Sequence, residues 1–417
     1  MVGGGGLLQL VAIGKQDIYL TGNPQITWFK MVYRRYTNFS IESQPMYFDG
    51  DPDFGKRLSC LVPRRGDLLG PVILEVTLPA LTNTDGTPAS YVNSIGHALI
   101  EEISVEIGEQ EIDRQTGEWM EIWSSLTTTS EQKDGFYDMI GKVDGYNPPN
   151  LTGQVKLYIP LRFWFNKNPG LYLPLLALQY HPIRINVKLR ELQKLFYSPV
   201  LINNCDTAQV NQAKIVNMQL WGDYYNLDVE ERRRFVSSTH EYLIEQVQYT
   251  TPLSIPAAST NTNVRIEFNH PIREFIWVLQ RSVMTQYHEW FNYSSLAMHE
   301  TGTRTDLLQS ANIQLDGQDR FETRDAGYFR LVQPWQFHTA IPNDKYIYLY
   351  SFALRPEDLQ PSGSMNASRV DSINLLCGLT PDANLSPVRG NATIIVYATN
   401  HNIFRVVNGF GGLVFTV

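Results

Sequence analysis

Ser104-Val-Glu-Ile-Gly-Glu-Gln110 and Asn312-Ile-Gln-Leu-Asp-Gly-Gln318 are one pattern written twice, 208 residues apart. Apolar residues alternate with polar ones, a Gly-containing turn follows, and Gln closes both stretches, with Val105, Ile107 and Gln110 matching Ile313, Leu315 and Gln318. Alternation at period two reads as a strand half buried in a sheet. A second echo lies farther on. Tyr158-Ile-Pro-Leu-Arg-Phe163 and Tyr346-Ile-Tyr-Leu-Tyr-Ser-Phe352 each precede a Pro/Gly loop, and their smaller offset implies longer insertions in the first copy. A period near half of 417 residues marks a duplicated domain, because solenoid repeats are far shorter. The junction is expected within Tyr197–Trp221, a segment rich in Asn and Gln, giving an N-terminal arm at 1–24, a first domain at 25–205 and a second at 206–417.

Working outward, Arg57–Val62, Val72–Leu81, Lys156–Phe165, Ile183–Leu189, Val264–Phe268, Ile272–Leu279, Tyr346–Leu354 and Thr393–Ala398 read as short strands bounded by turn residues. Trp119, Ile122, Trp123 and Leu126 recur at helical spacing and predict one helix with both indoles on a buried face. The expected fold class is all-β: two tandem eight-stranded jelly-roll β-sandwiches with short helices in the loops. Gln132–Thr152, Thr82–Val92 and Glu289–Thr305 are the expected long polar loops, exposed at one end of the sandwiches.

Composition and motifs exclude several functions. The net charge of −8 argues against a nucleic-acid coat, since such binding neutralises phosphates with basic groups. The densest basic cluster, Arg232–Arg234, follows Glu230 and Glu231 and reads as a solvated charged turn. Cys60, Cys205 and Cys377 are too scattered for a disulfide framework, and Leu171–Leu178 is too short to span a membrane. The N-terminus lacks the basic start and cleavage site of a secretory signal. None of the eight histidines has an acid two positions on, and His240, His288 and His299, each followed by Glu, lack the second His of a zinc helix. The glycines at Gly3–Gly6 fit no phosphate-binding loop. Glu118 and Glu121 could form a glycosidase pair, but their spacing suggests the solvated side of the Trp helix. No catalytic, cofactor or metal residue is therefore expected. Sequons begin at Asn38, Asn150, Asn292, Asn366, Asn384 and Asn391, with Asn150 and Asn292 expected to be the most accessible.

The opening Gly4–Pro24, Ile26-Thr-Trp-Phe-Lys30 and Tyr36-Thr-Asn-Phe39 resemble the N-terminus of major capsid proteins of nucleocytoplasmic large DNA viruses. So do Pro160-Leu-Arg-Phe-Trp-Phe165, Asn168-Pro-Gly170 and Leu173–Tyr180. The second half adds Glu230–Phe235, His240–Gln246, His270–Glu274, Tyr350–Leu354, Gln360–Gly363, Asn366–Arg369, Tyr397–Asn400 and Asn408–Gly412. These blocks run in order nearly from end to end. The resemblance implies a double jelly roll, a homotrimeric pseudo-hexagonal capsomer in an icosahedral shell, contacts with neighbouring capsomers, minor capsid proteins and a penton protein, and an inner viral membrane in place of direct nucleic-acid contact. It also implies a virion protein assembled in the host cytoplasm. The rival class is a carbohydrate-binding or glycan-hydrolysing double β-sandwich, with Tyr287, Trp290, Phe291 and Tyr293 as stacking aromatics. Met1–Pro24, with its glycines and the apolar Leu7–Ile13, is expected to be ordered only by partners on the inner side of the shell.

Overall fold

Buried side chains alternate with more exposed ones along Arg57–Leu61, Val155–Pro160, Asn217–Leu227, Asn261–Ile266 and Ile373–Leu379, as the outer strands of two-layer sandwiches require. The computed structural model describes residues 4–82, 89–149, 153–197, 213–381, 385 and 389–416. The first roll comprises β1 (Phe39–Met46), β2 (Arg57–Leu61), β3 (Leu68–Leu78), β4 (Ile100–Ile107), β5 (Gln110–Thr116), β6 (Val155–Pro160), β7 (Ile183–Leu189) and β8 (Asn217–Leu227). The second comprises β9 (His240–Tyr249), β10 (Asn261–Ile266), β11 (Pro271–Arg281), β12 (Leu308–Leu315), β13 (Gln318–Asp319), β14 (Tyr348–Ser351), β15 (Ile373–Leu379) and β16 (Ala392–Val407). The first roll's sheets run β1-β8-β3-β6 and β2-β7-β4-β5; the second's main paths run β9-β16-β11-β14 and β10-β15-β12-β13. Adding eight to each strand number of one roll gives the order of the other. Neighbouring strands pair antiparallel throughout, so the duplication extends to register-bearing topology.

The repeated sequence pattern is the equivalent hairpin of each roll. Ile107 pairs with Gln110 and Leu315 with Gln318. Both two-residue turns place two residues in the left-handed region, Gly108 (φ 60°) and Glu109 (φ 67°) in one, Asp316 (φ 51°) and Gly317 (φ 77°) in the other. That is the turn whose twist matches the flanking strands.

The helices of the described residues include α1 (Gly4–Val11), α2 (Ile95–Leu99), α3 (Gly117–Thr127), α4 (Ser130–Ile140) and α5 (Val229–Ser237). Residues 1–38 and 39–417 form separate compact units. Within the first, the helix Gly4–Val11 runs through Gly4–Gly6 into Leu7-Leu8-Gln9-Leu10. Each Gly weakens such a turn by about 1 kcal/mol relative to Ala. The apolar side chains of α1 are exposed.

Several expectations need correcting. The second domain does not start at 206, because Asn217–Leu227 pairs with β1 and β3 and completes the first roll's sheet. The strand expected over Lys156–Phe165 ends at Pro160 and gives way to a 3-10 turn at Trp164–Asn166 that buries Trp164 and Phe165. Gln132–Thr152 is not simply an exposed loop, since α4 occupies much of it. Arg232–Arg234 lie on α5, a helix whose cap Asp228 accepts from the Val229 N–H. Asn150, Asn384, Cys205 and most of Thr82–Val92 and Tyr197–Trp221 lie outside the described residues.

Two helix glycines make opposite predictions. A Cβ on Gly117 would sit 2.2 Å from the His97 carbonyl oxygen and 2.3 Å from that of Ile100, both backbone atoms that cannot turn aside. Gly135, in the middle of α4, faces open space. Thermal unfolding should show Gly117→Ala destabilised by about 1–3 kcal/mol, as overpacking costs, and Gly135→Ala stabilised by about 0.5–1 kcal/mol.

Candidate functional site: the joint between the rolls

Helix α3 leaves the first roll directly after β5. Thr116 caps it by accepting from the Trp119 N–H at 3.2 Å, and Glu118 lies in its first turn. Its apolar face, Trp119, Ile122, Trp123 and Leu126, is buried among Ile276, Val278, Tyr293, Tyr346, Ile347, Leu349 and Tyr397. The face sits on the outside of the second roll's sheet. The Trp119 ring lies 5.4 Å from Trp123 and 5.5 Å from Tyr397. Strand β11 is consequently buried on both faces: Phe275, Trp277 and Leu279 enter the second roll's core, while Ile276 and Val278 enter the joint.

The carboxylates expected on the solvated side of α3 are not free. Glu121 is 3% exposed and lies 2.7 Å from His97 Nδ1 and 2.6 Å from Lys142 Nζ. Burial would raise its carboxyl, but Lys142 and the His97 contact outweigh that and hold it below the usual range. Glu118 pairs with Arg190 at 2.6 Å. A glycosidase needs one carboxyl kept protonated beside an open cleft, and these two are ion-paired supports of the joint.

The segment after β11 departs furthest from expectation. Phe291 is 9% exposed and belongs to the first roll's core, and Tyr293 is 3% exposed in the joint. Trp290 donates its indole N–H to the Lys194 carbonyl at 2.9 Å, under the Arg190 guanidinium 4.0 Å from its ring. Tyr287 is half buried against His299, with ring centroids 4.1 Å apart. Glu289–Thr305 therefore contains a wedge, and the aromatics offer no open sugar-stacking platform. Asn292 is 2% exposed and donates its amide to Glu289 and to the Leu296 carbonyl, so its sequon is inaccessible, contrary to expectation.

Further contacts lock the rolls. Glu245 of β9 bonds Arg273 at 2.6 Å and also Lys167 of the first roll, whose ammonium lies 4.7 Å from the Trp123 ring centre. The Gln246 amide donates to the Ile112 carbonyl. The strand Phe410–Leu413 clasps the first roll: the Tyr180 N–H donates to the Gly409 carbonyl at 3.0 Å, and Phe410 packs between Tyr180 and His181. His240, His288 and His299 serve separate local contacts, at the Phe235 carbonyl, the Phe196 carbonyl and the Tyr287 ring. Among the described residues no three His, Cys, Asp or Glu side chains are grouped to hold a metal.

Asp113 of β5 is buried where the rolls meet and accepts from the Val247 N–H at 3.1 Å and the Gln115 amide at 2.8 Å. Burial pushes its carboxyl up to about 7, with those hydrogen bonds and Lys167 opposing the rise. The folded chain thus binds this proton more tightly than the unfolded chain, so stability is lost as pH climbs from about 4 to about 7. Asp113→Asn keeps an acceptor for the Val247 N–H and removes the buried group that must ionise. It should match the parent near pH 4 and unfold at a higher temperature at pH 8, with a flatter profile between.

A family model described as large eukaryotic DNA virus major capsid protein matches residues 231–412, and one described as major capsid protein N-terminus matches 27–228. The chain is 39% identical over 438 residues to the major capsid protein of Pyramimonas orientalis virus, covering 99% of this chain and 100% of the relative. It is 37% identical over 454 residues to that of Paramecium bursaria Chlorella virus 1, covering 99% of both. The solved structure of PBCV-1 VP54 superposes with a TM-score of 0.80 at 32% identity, covering 94% of this chain and all of that one. The Faustovirus major capsid protein shares the fold, with a TM-score of 0.77 at 13% identity. From the duplicated rolls, the joint that fuses them and matches spanning both halves, the chain belongs to the major capsid protein family of large eukaryotic DNA viruses.

Proposed function

We propose that this chain builds the outer shell of a large DNA virus as a homotrimer whose six sandwiches give a pseudo-hexagonal capsomer. The observation that carries the reading is the repeated strand order, with two equivalent rolls held by a buried joint. Three such chains in a cyclic arrangement present six nearly alike edges to their neighbours while differing at alternate corners. The partners on this reading are neighbouring capsomers, minor capsid proteins, a penton protein and a nearby inner membrane. The net charge of −8 fits a shell that does not touch the genome. The protein acts in the virion and assembles in the host cytoplasm. Its three segments on this reading are the arm, a first roll reaching Leu227 and a second roll from His240 onward.

The exposed leucines of α1 fit an arm that orders fully against neighbouring subunits or minor proteins, where binding offsets the entropy cost. Light scattering and negative-stain images of the purified protein should give trimers with a hexagonal outline; a stable monomer at micromolar concentration would overturn the proposal. Deleting Met1–Pro24 should leave those trimers intact and impair their incorporation into shells. Loss of folding or of trimers in the deleted protein would assign the arm to the core instead.

A further inference from the structure

A small cavity lies in the joint where Gln115, Arg162 and Lys167 of the first roll meet Glu245 and Arg273 of the second. It has room for about one water-sized body. Trp119, Trp123 and Trp164 supply much of its wall, and all three are buried, so the charges beside them sit in dry surroundings.

The charges in that wall do not balance. Arg162, Lys167 and Arg273 bring three cations against one carboxylate, Glu245. Both oxygens of Glu245 are engaged, one with Arg273 Nη1 at 2.6 Å and the other with Lys167. Arg162 has no carboxylate partner among the described residues, and burial pushes its guanidinium below the ordinary arginine range. Two further carboxyls lie close by. Glu274 reaches the Thr399 hydroxyl at 3.1 Å but is matched by His338 at 2.7 Å. Asp113 accepts from the Gln115 amide and is pushed by burial up to about 7, so it is only partly ionised at neutral pH. His401, the cross-strand neighbour of Glu245, is pushed down to about 4 by burial and then by Arg273, and stays uncharged.

Hydrogen bonding is unbalanced in the same direction. Arg162 Nε, Arg273 Nε and Arg273 Nη2 are enclosed with no acceptor among the described residues. Arg273 is 1% exposed, which keeps bulk solvent from serving it. Gln115 Oε1 lacks a donor among the described residues, and a water molecule would supply one. A water would nevertheless leave the excess cations uncompensated, and a buried charge without a counterion is the costlier defect.

We infer that the cavity binds a small monovalent anion of halide size, held by the guanidinium groups of Arg162 and Arg273 and bridging the first roll to the second. The larger phosphate and sulfate ions exceed the space. The bound anion adds a charged tie across the joint beside the Glu245–Lys167 pair, so the angle between the rolls is set by halide as well as by apolar packing. The site belongs to the single chain and stands whether or not chains form trimers.

Thermal unfolding of the full chain in sodium chloride, bromide and gluconate at constant ionic strength tests it. Chloride and bromide should stabilise the fold by roughly tenfold in the folding equilibrium constant for each tenfold rise in halide above its Kd, and gluconate, too large for the cavity, should not. Arg162→Gln should lose that halide dependence. Equal unfolding temperatures in all three salts, or a folded Arg162→Gln that keeps the dependence, would overturn the site. Should the variant misfold, a crystal of the parent grown in bromide decides. An anomalous peak between Arg162 and Arg273, together with the halide-specific stabilisation, supports the proposal. Water density at that position refutes it, as does a bromide peak without stabilisation, which marks an adventitious ion only.

Discussion

The apolar face of α3 against the outer surface of the second roll's sheet is the contact on which the rest of the molecule depends. A sandwich ordinarily leaves its outer faces to water, and its strands then alternate. Here one outer face is dry, because Trp119, Ile122, Trp123 and Leu126 cover it. Two large indoles bury enough apolar surface to make the rolls one body, at about 25 cal/mol per Å² removed from water. The wedge that carries Phe291 crosses in the opposite direction, from the second roll into the first roll's core.

Sealing that contact requires burying charge around it, and the chain does so in matched groups. Glu121 meets His97 and Lys142, Glu118 meets Arg190, and Glu245 meets Arg273 and Lys167. Such groups add little net stability compared with apolar packing, yet removing one partner leaves a buried charge uncompensated. The Glu121 and Glu118 groups pair within the first roll and hold α3 in place on it, while Glu245 reaches across to Lys167 and ties one roll to the other at a fixed angle. A shell subunit needs that fixed angle, since errors in it would multiply around every capsomer.

Duplication supplies both the parts and their mismatch. The two rolls share strand order and hairpin turns, yet both indoles of α3 are covered within the chain while Trp335 of the second roll is exposed. The charged groups that resemble a site, Glu118 and Glu121, are ion-paired structural supports.

The sequence by itself determined many of the strands, the duplication and the face of the Trp helix. All three depend on periodicity and turn chemistry, which act over a few residues and leave local traces: Ser104–Gln110 and Asn312–Gln318 proved to be equivalent hairpins. Only tertiary structure decided where the first roll ends, what the carboxylates do and which aromatics are exposed. Asn217–Leu227 belongs to the first roll because its partners are more than a hundred residues back in the chain. Glu121 looked solvated because helical spacing reports the face opposite the tryptophans, and nothing local announces that Lys142 and His97 will close over it. Tyr293 and Phe291 sit in a polar stretch that reads as a loop, yet two neighbouring surfaces bury them. Burial at a joint is a property of two surfaces brought together, and a single local pattern records only one of them.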